Sequence, residues 1–95
     1  MSKFPYEMVD VIDVEPRGAH KLFVRFSNGT EGEHDFGPMI EEGGPMVEPL
    51  RDPVFFARAF LDDGIPTWPN GFDVDAIKLH MDMSEAGELR RDAAE

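Results

Sequence analysis

The order of hydrophobic and acidic residues in the segment EMVDVIDVE, residues 7–15, is typical of a β-strand with one irregularity. Apolar and acidic residues alternate, but Val9 and Val11 fall on one phase of the alternation and Ile12 and Val14 on the other. Because successive side chains of a strand point to opposite faces, a change of phase requires an extra residue. The pattern predicts a strand with a β-bulge near Val11 and Ile12.

The segment KLFVRFSNGTEGEHDF, residues 21–36, predicts two strands joined by a turn around Asn28 and Gly29. The length of the turn decides which side chains share a face of the hairpin. A two-residue turn would place carboxylates opposite apolar residues, in the pairs Phe26–Glu31, Val24–Glu33 and Leu22–Asp35. Burying such a face would leave charges without partners, so this register is rejected.

A three-residue loop, Ser27 to Gly29, gives both faces a consistent character when Gly29 is left-handed and forms a bulge. One face then carries the pairs Phe26–Thr30, Val24–Gly32 and Leu22–His34. On the other face, opposite charges meet in pairs worth roughly 0.2–1 kcal/mol each, namely Arg25–Glu31 and Lys21–Asp35. We therefore predict the three-residue loop.

A helix from Asp52 to Asp62 is predicted by the segment LRDPVFFARAFLDDG, residues 50–64. Asp52 suits the N-cap and Pro53 the first helical position, because proline restricts the preceding residue to an extended conformation. Gly64 follows the predicted end of the helix. The apolar residues that share one face at helical spacing are Phe56, Ala59 and Phe60.

The other segments contain weaker signals. Residues 37–50 are rich in glycine and proline, which predicts an ordered loop with one helical turn near Met39–Glu42. Ile65–Trp68 predicts a short extended segment. Either Asp73 or Asp75 suits the N-cap of a second helix whose apolar residues are Ile77, Leu79 and Met81.

These elements predict the α+β class: a three-stranded antiparallel meander packed against one or two helices in a single small domain. The domain is expected to span residues 1–81. Residues 82–95 are polar and are predicted to form a frayed C-terminal tail.

The net charge of −11, from 20 acidic and 9 basic residues, limits the classes of partner. The acids are spread along the chain, and a field of that sign repels phosphate backbones and anionic lipid headgroups. We therefore expect neither direct nucleic-acid binding nor membrane binding.

No cofactor is predicted. Cysteine is absent, which removes thiol chemistry. The N-terminus lacks the apolar run of a signal peptide, so a cytoplasmic protein is expected.

Three strings, GTEGEHDF, LRDPVFF and TWPNGFDVDAIKL, resemble the small bacterial family known as domain of unknown function 2442. The resemblance covers roughly residues 8–79. It implies a small α+β domain. It also implies a gene context resembling toxin and antitoxin pairs, because the family's genes often lie beside another very small protein. The family supplies no established catalytic residues.

Trp68, the only tryptophan of the chain, is followed by Pro69, Asn70 and Gly71 and has two interpretations. In one, the ring is a stacking platform for a ligand and Asn70 a ligand donor. In the other, the ring belongs to the core and the following residues form a turn. A lone tryptophan supplies a large share of a small core, and Pro-Asn-Gly is ordinary turn chemistry. The second interpretation, a structural latch, is favoured.

Histidine patterns do not indicate catalysis. His34 and Asp35 are adjacent in a predicted strand, so they point to opposite faces and cannot form a dyad. His34 lies beside Leu22 on the predicted core side, where it is expected to be structural. His20 and His80 have no second histidine or cysteine at metal-ligand spacing. No catalytic residue is predicted.

Four aspartates leave an alternative open. Asp73 and Asp75 form a D-x-D sequence, and with Asp62 and Asp63 they contain the oxygen ligands that magnesium prefers. A capping role explains Asp73 or Asp75 more simply. A metal-dependent enzyme built on these four acids is therefore the alternative rather than the main hypothesis.

The main hypothesis is a non-enzymatic interaction module that binds a small basic partner protein, in the manner of an antitoxin. Asp62 and Asp63 oppose the macrodipole at the predicted helix end, so they have no stabilising role there. Glu41 and Glu42 lie in a loop that a partner can order. Phe55 is the expected apolar anchor, because charged rims supply association rate more than affinity. A transcription-associated regulator acting through a partner is a further alternative.

Overall fold

The computed structural model describes residues 8–91, and an antiparallel sheet forms its framework. The sheet has the spatial order β1-β2-β3-β6, with strands β1 (Val11–Pro16), β2 (Lys21–Phe26), β3 (Thr30–Asp35) and β6 (Arg90–Arg91). A smaller sheet is the hairpin of β4 (Phe60–Asp62) and β5 (Ile65–Thr67). The helices are α1 (Gly37–Glu42), α2 (Pro53–Phe56) and α3 (Ala76–Glu85), with a 3₁₀ turn at Glu48–Arg51. The predicted α+β class and the β1–β3 meander are confirmed.

The pairing of the first three strands agrees with the hydrophobic pattern. The register of β1 against β2 shifts between Val11 and Asp13, so the predicted bulge is confirmed. The register of β2 against β3 is the predicted one, with the partners Leu22–His34, Val24–Gly32, Arg25–Glu31 and Lys21–Asp35. Gly29 has a φ of 88°, and its N–H donates to the Phe26 carbonyl at 3.2 Å. The three-residue loop is confirmed.

Replacing Gly29 with valine is expected to lower the free energy of unfolding by roughly 1–2 kcal/mol or more, because a β-branched residue is strained at positive φ. Urea denaturation followed by circular dichroism measures the loss. Gly29→Asn is the matched control, since asparagine tolerates the left-handed region better, and it should cost less. An unchanged midpoint for Gly29→Val would contradict the conformation of the loop.

The core lies on the inner face of the four-stranded sheet. Leu22, Val24 and Phe26 alternate along β2 and are fully buried. Each helix contributes buried side chains to the same cluster, among them Ile40, Phe56, Leu79 and Met83. The helices are short, and within residues 8–91 none is long and apolar enough to cross a membrane.

The predicted helix from Asp52 to Asp62 is wrong beyond its first turn. Its start is correct: the Asp52 side chain accepts a hydrogen bond from the Val54 N–H at 3.0 Å, and Pro53 occupies the first position. However, α2 ends at Phe56, and the β4–β5 hairpin follows. Asp63, with a φ of 54°, and Gly64 form its two-residue turn. An Asp-Gly pair is a strong hairpin signal, and here it outweighs the helical spacing.

The domain boundary also differs from the one predicted at residue 82. α3 begins after Asp75, whose side chain accepts from the Lys78 N–H at 2.9 Å, and it continues to Glu85. Met83 is fully buried and Leu89 packs against the core. These apolar side chains hold residues 82–91 in the domain, and the last two of them pair with β3. The remaining tail, residues 92–95, and residues 1–7 lie outside the described residues.

Candidate interaction surfaces

Trp68 occupies the centre of the core. Its ring is fully buried, and its indole N–H donates to the Phe56 carbonyl at 2.9 Å. The ring packs against Phe36, Phe56 and Phe72 at centroid distances of 6.1, 5.5 and 5.8 Å. Since none of the ring is open to solvent, it cannot act as a stacking platform without rearrangement. Its contacts are those of a structural core residue, as the second interpretation of the sequence predicted.

The residues after Trp68 close a tight turn and attach it to the preceding loop. The Gly71 N–H donates to the Trp68 carbonyl at 2.8 Å, and Pro69, the residue after Trp68, is exposed in this turn. The Asn70 side chain donates to the Met46 carbonyl at 2.9 Å and accepts from the Phe72 N–H at 3.3 Å. Asn70 is therefore committed to the backbone of its own chain rather than to a ligand.

Each of the three histidines has a partner within the fold. The pairs are His34 Nδ1 with Glu88 Oε1 at 2.8 Å, His80 Nε2 with Asn28 Nδ2 at 3.2 Å, and His20 Nε2 with the Arg51 carbonyl at 3.0 Å. Each ring also packs edge-on against a phenylalanine. The three partner sets are different, so the histidines do not form a common site.

The four aspartates considered as metal ligands have separate places in the fold. Asp75 caps α3, and Asp73 forms an isolated β-bridge with Thr67. Asp62 and Asp63 belong to the β4–β5 hairpin. Across the part of the chain that the structure describes, no three histidine, aspartate or glutamate side chains are grouped to hold a metal ion.

The residues predicted to bind a partner lie on different elements. Glu41 and Glu42 are exposed at the end of α1, which packs against the 3₁₀ turn. Asp62 and Asp63 are exposed on the β4–β5 hairpin, which packs against β1. Because α2 ends before the hairpin begins, the macrodipole argument for Asp62 and Asp63 is wrong.

Phe55 does not provide the exposed apolar anchor expected from the sequence. It is half-buried and packs against the core. The apolar side chains that remain exposed in this region are Val54, at 73%, and Phe60, at 46%. Phe60 lies in β4, two residues before Asp62, so the hairpin presents an aromatic ring and a carboxylate on one face.

A groove with an apolar floor and an acidic rim lies between α1 and α3, at the end of β3. Its volume is about 430 Å³. The floor consists of buried and half-buried apolar side chains, namely Phe36, Met39, Val74 and Leu79. The carboxylates at its rim are Asp35, Glu42 and Asp82. We call this feature the α1–α3 groove.

The charge of the α1–α3 groove is negative. Its one lysine, Lys78, is paired, with Nζ 2.8 Å from Asp82 Oδ1. This hydrogen bond raises the pKa of Lys78 above its ordinary value. Asp35 Oδ1 accepts from the Gly37 N–H at 2.8 Å, whereas Glu42 is exposed at the rim. A positively charged group is therefore favoured in the groove over a negative one.

Bases and acids form ion pairs on the outer face of the four-stranded sheet, which the spread of acids along the sequence did not indicate. Bases and acids of neighbouring strands meet there in the pairs Arg25–Glu31 at 3.1 Å, Arg90–Glu31 at 3.3 Å and Lys21–Glu33 at 4.0 Å. Lys21 lies near Glu33 rather than its opposite residue Asp35, whose carboxylate is engaged at α1. Three bases therefore lie on the outer face among its acids, whereas the lining of the groove has one lysine for three carboxylates.

The sequence patterns did not identify the α1–α3 groove, because its walls come from separated segments: residues 34–42, Val74 and residues 78–82. Of the residues predicted to bind a partner, only Glu42 lines it. Local signals existed for both helical walls, the proline near the start of α1 and the capping aspartate before α3, but none of them indicated that the two walls lie side by side.

The fold and surfaces define a small α+β domain with an acidic groove and, in its described residues, no assembled metal centre. The chain belongs to the family described as protein of unknown function DUF2442, whose family model matches residues 11–81. The resemblance carried by the three sequence strings is thereby confirmed.

A solved structure shares the fold. The crystal structure of the "putative DNA binding protein NE0471" from Nitrosomonas europaea matches with 26% identity and a TM-score of 0.65. The match covers 86% of this chain and 54% of that chain, so this chain spans about half the length of that protein. No curated protein matches the chain.

Proposed function

We propose that this protein is a non-enzymatic interaction module whose α1–α3 groove binds a basic segment of a small partner protein, as the antitoxin-like member of a pair. The observation that carries the proposal is the combination of an apolar floor with an acidic rim in one groove. The floor supplies affinity by burying apolar side chains of the partner, and the rim selects basic residues beside them.

The distribution of charge supports the same class of partner. On the outer face of the sheet, bases and acids are paired across neighbouring strands. On the groove side, Glu41 and Glu42 stand exposed at the end of α1. A basic segment is therefore attracted to the groove side over a distance set by the ionic strength, about 10 Å at 0.1 M salt.

The test is a titration with a synthetic peptide in which lysine and valine alternate, followed by NMR and by calorimetry. Shifts are expected at the end of β3, in α1 and in α3. Neutralising the two exposed acids at the end of α1, Glu42 at the rim and its neighbour Glu41, with Glu42→Gln and Glu41→Gln is expected to weaken binding by about threefold to tenfold at low salt. The difference from the parent protein should shrink as salt is added, because screening reduces the contribution of exposed charges.

The matched control is the double variant Asp62→Asn and Asp63→Asn, which removes the same number of negative charges from the hairpin. Asparagine at position 63 also suits the left-handed conformation found there. The groove hypothesis expects this control to weaken binding less than the Glu41 and Glu42 variant does. A larger effect at the hairpin would move the docking surface to Asp62, Asp63 and Phe60.

A second candidate function is that of a transcription-associated regulator that reaches nucleic acid through its partner. The observation that favours it is the fold shared with the Nitrosomonas europaea protein, whose name is "putative DNA binding protein NE0471". Fluorescence anisotropy with labelled duplex DNA tests it, first with the protein alone and then with a basic partner added. If the isolated protein bound duplex DNA at physiological salt, this result would contradict the proposal that binding a basic partner in the α1–α3 groove is its main function.

A further inference from the structure

The α3 wall of the α1–α3 groove already binds a cation, which belongs to the chain itself. Lys78 Nζ lies 2.8 Å from Asp82 Oδ1 and 3.0 Å from Asp82 Oδ2, so both oxygens of the carboxylate hold one ammonium group. The two residues are four positions apart, which places them on the same face of α3. Both line the groove. The rim is thus shown to accept a positively charged side chain at Asp82.

The ion pair of Lys78 and Asp82 is accessible to a competing group. The Lys78 side chain is 67% exposed and the Asp82 side chain 43%. The hydrogen bond to Asp82 is the main cause of the raised pKa of Lys78, so the ammonium is held chiefly by this one carboxylate. Exposed pairs of this kind contribute little to stability, because water solvates both charges when they separate. Displacing the ammonium into solvent therefore costs little.

An arginine is the side chain best suited to replace Lys78 at Asp82. A lysine of the partner would exchange one ammonium for another and would gain nothing from this contact. An arginine guanidinium forms two parallel hydrogen bonds with a carboxylate, which an ammonium cannot do. It is also more weakly hydrated than an ammonium, so it loses less when it approaches the apolar floor at Met39 and Leu79.

We infer that an arginine of the partner segment binds Asp82 in the α1–α3 groove and displaces Lys78, so that Lys78 is an internal competitor of the partner. This inference rests on the proposed function and adds the residue type that the groove selects. A basic segment without an arginine at this position binds through the apolar floor and the acids of α1, and it gains no contact at Asp82.

The first measurement follows the Lys78 Nζ signal by NMR while an unlabelled peptide of alternating arginine and valine is added to the labelled full chain. Asp82→Asn supplies the reference signal of Lys78 without its carboxylate. Lys21, which lies near Glu33 on the outer face, is the internal control. At saturation the Lys78 signal is expected to reach the reference position, while the Lys21 signal stays in place. A Lys78 signal that does not move although the peptide is bound would overturn the inference.

The second measurement is a double-mutant cycle on the affinity of the same peptide at low salt. Lys78→Gln has little effect on helix propensity. It is expected to tighten binding by about threefold to fivefold, because it removes a positive charge and also frees Asp82. In the Asp82→Asn background only the charge effect remains, so the same substitution is expected to tighten binding by less than about twofold. Lys21→Gln removes an equal charge from the outer face and, as the matched control, should change the affinity by less than about twofold.

The selection of arginine is tested with the peptide of alternating lysine and valine. It is expected to bind about threefold more weakly than the arginine peptide and to move the Lys78 signal less, because its ammonium gains nothing at Asp82. Equal affinities and equal movement of the signal would overturn this selection.

The outcomes separate this inference from the proposed function. If the arginine peptide binds but Lys78→Gln has the same effect in both backgrounds, the displacement of Lys78 is overturned while binding at the groove stands. If neither peptide binds, the proposed function fails, and this inference fails with it. A gain in affinity that depends on Asp82, together with the movement of the Lys78 signal, supports the inference.

Discussion

Replacing Trp68 with alanine is expected to lower the free energy of unfolding by about 3–5 kcal/mol, a large part of the stability of a small domain. The indole is fully buried among Phe36, Phe56 and Phe72, so its loss creates a cavity that these rings cannot fill without moving. The Phe56 carbonyl also loses its indole donor. Urea denaturation followed by far-ultraviolet circular dichroism measures the loss.

The matched control is Trp68→Phe, which keeps an aromatic ring but removes the indole N–H. It is expected to cost less than alanine, roughly 1–3 kcal/mol, because the main losses are one hydrogen bond and part of the ring volume. In the unmodified protein the tryptophan emission should be blue-shifted and should move to longer wavelength on unfolding. Native emission at the wavelength of water-exposed indole would contradict the burial of Trp68.

Gly32→Ala is expected to destabilise the fold by about 3 kcal/mol or more, although it adds only one methyl group. A Cβ atom at position 32 would overlap the carbonyl oxygen of Glu88 and lie 3.3 Å from the Met83 methyl group. The overlapping atom belongs to the backbone and cannot rotate away. The segment from Glu88 onward must therefore shift, and its pairing with β3 through Arg90 and Arg91 is lost.

The control for this variant is Gly37→Ala, at another glycine without positive φ. A Cβ atom there would meet Asp35 Oδ1 at 3.0 Å, and this carboxylate can rotate. Its effect is expected to stay within about 1 kcal/mol. Chemical denaturation compares the two variants, and amide hydrogen exchange at Arg90 and Arg91 reports the loss of β6. Equal stabilities for the two variants would show that the contact between β3 and Glu88 is not close.

The meander was predictable in detail because strand pairing obeys short-range rules. The period-two pattern of Leu22, Val24 and Phe26 assigned one face to the core, and the cost of burying carboxylates selected the three-residue loop at Gly29. The same reasoning located the bulge in β1. In each case the deciding residues are neighbours in sequence or on the adjacent strand.

The second half of the chain was harder to predict, because two local signals conflicted there. The spacing of Phe56, Ala59 and Phe60 favoured a helix, whereas Asp63-Gly64 favoured a hairpin. A short helix gains little from propensity and depends on tertiary packing. Phe56 and Trp68 pack together in the core, and Phe60 stays exposed, so the helix ends after one turn. The segment after residue 81 is polar in composition, which predicted a frayed tail. In the structure, Met83 is buried and Leu89 packs against the core, and these contacts order residues 82–91.

The sequence by itself determined the class of fold, the register of the meander, the cap at Asp52 and the excess of negative charge, and it narrowed the cap of α3 to Asp73 or Asp75. Each of these follows from rules that act between neighbouring residues or on the composition as a whole. Only the tertiary structure decided where that charge gathers, because it brought Asp35, Glu42 and Asp82 around one groove. A groove is made by segments far apart in the chain, and their approach depends on how the whole core packs.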